Sequence, residues 1–281
     1  MDRILVAAAA LNQTPLSWEG NLLNIREAIR QARATGAQLL CLPELCVTGY
    51  GCEDAFHSRG IIESALRYAA KVAQEAKDIV VVFGLPLSVS GTVYNVAALA
   101  ANGKIEGFIG KQHLAGDGVH YEPRWFTPWP GGTRSSVIVD GRDVPVGDLV
   151  FSIDGITIGC EICEDAWVSD RSGVRLAQRG VDVIFNPSAS HFSFGKAEVR
   201  KRIALEGSRA FGAGYVYANI LGCESGRIIY DGDIVICSHG EVSGGPSILI
   251  SGYRSYDRHA RYLANPSHSA STITVRPIGN G

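Results

Sequence analysis

The stretch VYNVAALAANGKIEGFIGK (residues 93–111) reads as two apolar runs of strand length, Val93 to Ala101 and Lys104 to Ile109, folded about Asn102-Gly103. Both central residues of a type I′ turn need positive φ, which Asn and Gly adopt at least cost, so the pair predicts an antiparallel hairpin. Asp154-Gly155, between Leu149 to Ile153 and Ile156 to Ile162, repeats the pattern, as does Asp231-Gly232, between Arg227 to Tyr230 and Ile234 to Cys237. Outside these hairpins, strand-like and helix-like runs alternate. Ile4 to Leu11 is followed by Asn21 to Thr35, which places Leu22, Ile25, Ile29 and Ala32 on one helical face before Gly36. Ala37 to Leu42, Ile61 to Ala76 and Ile79 to Leu85 continue as strand, helix and strand. Ser169 to Gln178, Val181 to Asn186, Lys196 to Phe211 and Tyr215 to Leu221 do the same further on. Helices between strands imply parallel crossovers, whereas the hairpin turns imply antiparallel pairs, so the sheets are mixed. The strands are too many for one flat sheet, which predicts an α/β fold of two stacked sheets with helices outside. One domain is expected over residues 1–245. Residues 246–281, within a tail rich in Ser, Gly and Arg, read as a C-terminal extension or arm.

Composition narrows the function classes. The 281 residues carry 26 Lys and Arg against 28 Asp and Glu, a formal charge of -2 with no long run of either sign. That leaves no basic stripe for a phosphate backbone, so nucleic acid is not an expected partner. The apolar run at Ile4 to Leu11 is far short of the ~20 residues of a membrane span. With Asp2 ahead of it, it suits a first strand better than a cleaved leader, and no membrane partner is expected. Apolar residues make up 46% of the chain, enough for a full core without disulfides. The seven cysteines are odd in number and scattered, which suits reduced thiols in a cytoplasm. Cys160 and Cys163 form a C-x-x-C with no second pair at zinc-finger spacing, so no metal is expected.

Three reactive side chains stand just after apolar, strand-like runs: Glu44 after Pro43, Lys111 after Gly110, and Cys163. In α/β sheets the strand ends are where ligands bind, so the three can converge although they are far apart in sequence. Strand parity separates the two neighbouring cysteines. Ile156, Ile158, Cys160 and Ile162 share one face and read as core, whereas Cys163 falls on the other parity at the strand exit. Glu164 and Asp165 beside it would raise a thiol's pKa, so Cys163 needs a positive neighbour or a base, which Lys111 and Glu44 would supply.

The motifs PELCVTGY (43–50), KQHL (111–114) and EICEDAW (161–167) together resemble the three signatures of the nitrilase, or carbon–nitrogen hydrolase, superfamily. The runs GYGCED (49–54), YEPRWFTPW (121–129), VPVGD (144–148) and NPSASH (186–191) are similar, more narrowly, to the glutaminase domains of glutamine-dependent NAD synthetases. The resemblance covers roughly residues 3 to 245. It implies an α-β-β-α sandwich, in agreement with the two stacked sheets, and an amide-hydrolysing enzyme with no cofactor. It also implies Cys163 as nucleophile, Glu44 as general base, Lys111 as electrostatic stabiliser and Glu122 as the superfamily's second glutamate. Tyr50, Glu164, Ser188 and Ser190 fall where the family surrounds its glutamine, while Asp117 departs from the Tyr of some bacterial members.

The expected reaction is hydrolysis of the glutamine side-chain amide. The ammonia would go to an NAD synthetase domain or subunit, whose ATP-binding Ser-Gly-Gly-x-Asp-Ser loop this chain lacks. Ser243-Gly244-Gly245-Pro246-Ser247 reads as a turn, because Pro removes an N–H that such a loop needs. An amidase acting on another small amide is the alternative, and a catalytically silent assembly subunit is disfavoured by the co-occurrence of Glu44, Lys111, Glu122 and Cys163. The family further implies a homo-oligomer paired through an outer helical layer.

Overall fold

The protein is described here by a computed structural model covering residues 4–224, 226–243, 247–250 and 275–277. The first sheet holds eight strands: β1 (Val6–Leu11), β2 (Leu39–Cys41), β3 (Val80–Val89), β4 (Thr92–Ala101), β5 (Lys104–Gly110), β6 (Arg134–Val139), β7 (Arg142–Gly147) and β16 (Ser247–Ile250). Their spatial order is β16-β1-β2-β3-β4-β5-β7-β6. The second sheet comprises β8 (Phe151–Ile153), β9 (Ile156–Cys160), β10 (Val183–Ser188), β11 (Gly214–Asn219), β14 (Ile234–Ser238), β15 (Glu241–Val242) and β17 (Val275–Pro277), ordered β15-β14-β11-β10-β9-β8-β17. A small ribbon, β12 (Leu221–Glu224) with β13 (Ile228–Asp231), stands apart.

Side-chain alternation along the strands builds four layers. In β3, Val81 and Phe83 turn outward to meet Ile25, Ile29, Val72 and Ala73 of helices α1 (Trp18–Ala34) and α2 (Arg59–Glu75). Val80 and Val82 turn inward, where they share a core with Phe151, Ile158, Phe185 and Val216 of the second sheet. Ile184 and Tyr215 of that sheet turn the other way, onto Leu176 of α4 (Gly173–Gln178) and Ala204 of α5 (Lys196–Phe211). Each sheet is thus apolar on both faces, which requires a helical layer outside each, and the sandwich is α-β-β-α as expected.

Two of the three predicted hairpins are present. Asn102-Gly103 and Asp154-Gly155 each have both residues at positive φ and join β4 to β5 and β8 to β9. Asp231-Gly232 does not form a hairpin: β13 pairs with β12 and β14 with β11, in different sheets. Gly232 has φ 66° but Asp231 is not left-handed, and its carboxylate is occupied by Arg200 and the Asn219 amide (2.9 Å). A hairpin missed in the sequence joins β6 to β7 about Asp140-Gly141. Of the predicted arm at 246–281, strand β16 lies beside β1 and β17 beside β8; the rest, with the Ser243 to Ser247 turn, lies wholly or largely outside the described residues. All seven cysteines are unpaired. Among the described residues no helix is long and apolar enough to cross a membrane.

Candidate active site

The reactive groups come from the ends of strands in both sheets. After β2, the segment Leu42–Leu45 is pinned to β3 by Leu42 N–H donating to the Val82 carbonyl (2.8 Å) and Gly84 N–H to that of Pro43 (3.1 Å). A Cβ at Gly84 would meet the Leu45 nitrogen at 2.1 Å, so only glycine lets Glu44 approach this closely. Lys111 follows β5 directly, its N–H bound to the Asn95 carbonyl (3.0 Å). Glu122 opens the short helix α3 (Glu122–Trp125). Cys163 begins a 3₁₀ turn (Cys163–Ala166) after β9 and has φ 46°, a left-handed conformation that is strained for a residue with a Cβ.

These pieces meet in one enclosed cluster. Lys111 Nζ donates to Glu44 Oε1 (2.6 Å) and to both oxygens of Glu122 (2.7 Å each), and all three side chains are fully buried. Glu44 also accepts from Asn95 Nδ2 (2.7 Å) and from the Ala189 N–H at the end of β10 (2.9 Å). Glu122 accepts in addition from Tyr50 Oη (2.7 Å) and the Ala115 N–H (3.1 Å), so both of its oxygens are engaged. Burial pushes the Glu44 carboxyl up to about 7; Lys111 opposes this and Glu122 reinforces it. For Lys111, burial acts downward, but Glu122 and Glu44 outweigh it and hold the ammonium well above its ordinary range.

Cys163 is as enclosed as Cys160, at 5% and 4% exposed, so the predicted exit residue bears more packing than expected. Burial and the charge of Glu44 raise its thiol pKa, and Lys111 and the Ala189 N–H draw it back. The resting group is therefore a thiol, whose sulfur could act as a nucleophile only on losing its proton. Asp165 is a clamp between the two sheets' contributions. It accepts from the Ile162 N–H (2.9 Å) on the Cys163 side and from the Gln112 and His113 N–H groups (3.0 and 2.7 Å) after Lys111.

The remaining predicted residues surround this cluster in different ways. The Tyr50 hydroxyl lies between Glu122 and His120 Nδ1 (3.0 Å). Glu164 is half-buried, its carboxyl raised by burial and countered by the charge of Lys111. The Ser188 hydroxyl donates to Asn186 Oδ1 (2.5 Å), and the Ser190 backbone is clasped by the Asn219 amide (2.8 and 2.9 Å). Sequence reasoning missed Asn95, Asp165, His120, His191 and Lys196. Of these, Asn95 carried a signal, as the polar interruption of the apolar run Val93 to Ala101. Among the described residues no cluster of three His, Cys, Asp or Glu side chains is placed to hold a metal ion.

Comparison with known proteins shows what the whole chain is similar to. The chain is 30% identical over 293 residues to a putative glutamine-dependent NAD(+) synthetase of Schizosaccharomyces pombe, covering 98% of this chain and 42% of that protein. It is 33% identical over 251 residues to the glutamine-dependent NAD(+) synthetase of Rattus norvegicus, covering 85% and 35%. The crystal structure of a glutamine-dependent NAD(+) synthetase from Cytophaga hutchinsonii superposes with a TM-score of 0.80 at 43% identity, over 85% of this chain and 40% of that one. An amidase from Nesterenkonia sp. shares the fold, with a TM-score of 0.70 at 23% identity over 85% of this chain and 84% of its own. The chain thus spans about two-fifths of the length of the S. pombe and C. hutchinsonii synthetases. The carbon-nitrogen hydrolase profile matches residues 5–253, from β1 through the whole cluster of Glu44, Lys111, Glu122 and Cys163, and the chain belongs to that family.

Proposed function

We propose that this site hydrolyses the side-chain amide of glutamine to glutamate and ammonia, and that the ammonia feeds an NAD synthetase module. The observation that carries the chemistry is the buried ammonium of Lys111 held between Glu44 and Glu122, in the same enclosed site as Cys163. The choice of glutamine rests on the glutamine-dependent synthetases to which the chain is similar.

An amide carbonyl is a poor electrophile, so the nucleophile and the charge stabilisation must both be in place beforehand. Glu44 takes the thiol proton as Cys163 Sγ bonds to the carbonyl carbon. The oxyanion is met by Lys111 and the Glu164 backbone N–H; one such donor is typically worth about 3 kcal/mol. Collapse breaks the C–N bond, Glu44 returns the proton, and ammonia leaves a thioester on Cys163. Water, giving a proton to the same carboxylate, then cleaves the thioester to glutamate and restores the thiol. Glu122 accepts four contacts from three donors, Lys111, Tyr50 and the Ala115 N–H, and its role is to keep Lys111 charged and in position.

The test is to incubate the protein with glutamine and quantify glutamate and ammonia, with butanamide as a comparison amide. Equimolar release from glutamine is expected, together with its complete loss in Cys163→Ala with the circular dichroism spectrum retained. Turnover of butanamide but not of glutamine would sink the glutamine assignment while keeping an amide hydrolase.

A further inference from the structure

Asn95 is a polar residue in an apolar place. By strand alternation it shares a face of β4 with Ala97 and Leu99, the face turned towards the second sheet, and it is 1% exposed. Asparagine is depleted in strands, and burying a carboxamide costs free energy unless its donors and its acceptor are satisfied. Only one end is satisfied here: Nδ2 donates to Glu44 Oε1 (2.7 Å), while Oδ1 has no partner among the described residues. Packing alone therefore does not account for the residue, whose side-chain bond goes to a carboxylate of the Lys111 cluster. Its backbone carbonyl accepts the Lys111 N–H (3.0 Å), so Asn95 fixes the start of one cluster member and the end of another.

The bonds to Glu44 are unevenly divided between its two oxygens. Oε1 accepts from Lys111 Nζ (2.6 Å) and from Asn95 Nδ2, which takes up both of its lone pairs. Among the described residues Oε2 accepts only from the Ala189 N–H (2.9 Å), so it keeps a lone pair able to receive a proton. Burial and Glu44 raise the Cys163 thiol, and that same Ala189 N–H is the backbone donor that draws it back, so the sulfur and Oε2 lie about one N–H. The other titratable groups that feel Glu44 are Glu122 from α3, Tyr50 from the loop after β2 and Tyr230 from β13. Burial pushes both tyrosines up, which keeps them neutral.

We propose that Asn95 is a positioning residue for the base: by occupying Glu44 Oε1 together with Lys111, it leaves Oε2 as the atom that receives the Cys163 proton. This rests on the reading of Glu44 as general base given above. In the step itself the S–H bond breaks and an Oε2–H bond forms, the electron pair staying on sulfur for the attack. The amide acts on the carboxylate in two ways: it holds one orientation, and its N–H favours the ionised form. Burial raises Glu44, Lys111 opposes this and Glu122 reinforces it, and the Asn95 hydrogen bond adds to the lowering side. Without that bond the carboxyl moves further up, more of it is protonated at neutral pH, and the loss is greatest in acid.

The experiment reads the thiol directly. Iodoacetamide alkylates a thiolate with loss of iodide, and its rate at Cys163 is followed on that peptide by mass spectrometry between about pH 5 and 9, beside kcat and KM for glutamine. Wild type is compared with Asn95→Leu, which keeps the volume without a donor, and with Asn95→Ser, whose hydroxyl falls short of Glu44. Thermal unfolding is measured first so that rates refer to folded molecules, and Asn95→Ser, the smaller change, carries the test if Asn95→Leu does not fold. The acid limb of both profiles is expected to move up by about one pH unit, and kcat above it to fall by roughly tenfold or more with KM little changed. A folded variant whose acid limb and plateau match wild type overturns the assignment and makes Asn95 a packing residue. Normal alkylation with glutamine turnover lost also overturns it, because Asn95 would then act on the substrate and not on the base. If alkylation shifts as expected but wild type releases no ammonia from glutamine, the positioning role stands and the glutaminase reading falls.

Discussion

Two buried ion clusters lie close together in this fold, and they are built in opposite ways. Around Lys111, two carboxylates face one ammonium in a site that also holds a thiol. Around Arg171, one carboxylate faces one guanidinium: Glu161 accepts from Arg171 Nε and Nη2 (3.0 and 2.5 Å), from Tyr215 Oη (2.8 Å) and from the Gly173 N–H (2.6 Å). The second cluster is neutral as a pair and saturated, so it ties the end of β9 to the loop before α4. The first buries one more carboxylate than it has cations, and burial, reinforced by Glu122 and opposed by Lys111, raises Glu44 to about 7. In the proposed reading, the fully paired cluster is scaffold and the one with a raised carboxyl beside a thiol is reactive.

Lys111→Met tests this difference most severely. Removing the ammonium proposed to meet the oxyanion should lower kcat/KM by roughly a hundredfold or more, read from ammonia release, with a smaller change in KM. Arg171→Met should do the converse, leaving Glu161 buried and unpaired at a cost of about 3–5 kcal/mol in urea unfolding, with turnover per folded molecule largely kept. If the Lys111 variant loses mainly stability and the Arg171 variant mainly turnover, the contrast between the clusters is wrong.

The burial of Glu44 also sets the expected pH response. In the proposed mechanism Glu44 must be ionised to accept the thiol proton, and burial pushes its carboxyl up to about 7. Activity should therefore fall on acidification through that value, by about tenfold for each unit below it. A kcat/KM profile flat down to pH 5 would show that Glu44 is held ionised by Lys111 and is not the titrating base. The smallest effect is expected at Cys160, packed between the sheets with no part in either cluster. Cys160→Ala should cost about 1 kcal/mol in denaturant unfolding and leave ammonia release intact. Loss of turnover at full stability there would reverse the roles of the two cysteines.

Local signals made much of the fold legible. Turn pairs with both residues at positive φ marked two hairpins, and Lys196–Phe211 is a helix over the span its periodicity predicts. Asp231-Gly232 misled because the same dipeptide serves a different purpose when the aspartate is bound by Arg200 and Asn219, neither of which is a sequence neighbour. The β6–β7 hairpin escaped because its outer strand is largely exposed and Pro145 interrupts its partner. In the site, Glu44, Lys111 and Cys163 could be singled out as reactive groups at strand exits. Glu122 and Tyr50 could be reached only through resemblance, because neither follows a strand. His120 and His191 meet across 71 positions, and no local pattern announces such a contact.

The register of the first sheet bears on how the chain must reach this state. Ala8 of β1 lies opposite Leu40's neighbour Cys41 on one side and opposite Ser247 on the other. One edge of an all-apolar strand therefore waits, during synthesis, for a segment made almost at the end of the described chain. Closing so long a loop is entropically slow, and an open apolar edge is a template for pairing with other chains. A nascent or clipped protein lacking β16 would keep Glu44, Lys111, Glu122 and Cys163 and still expose that edge, so solubility and chaperone dependence, more than chemistry, would reveal the loss.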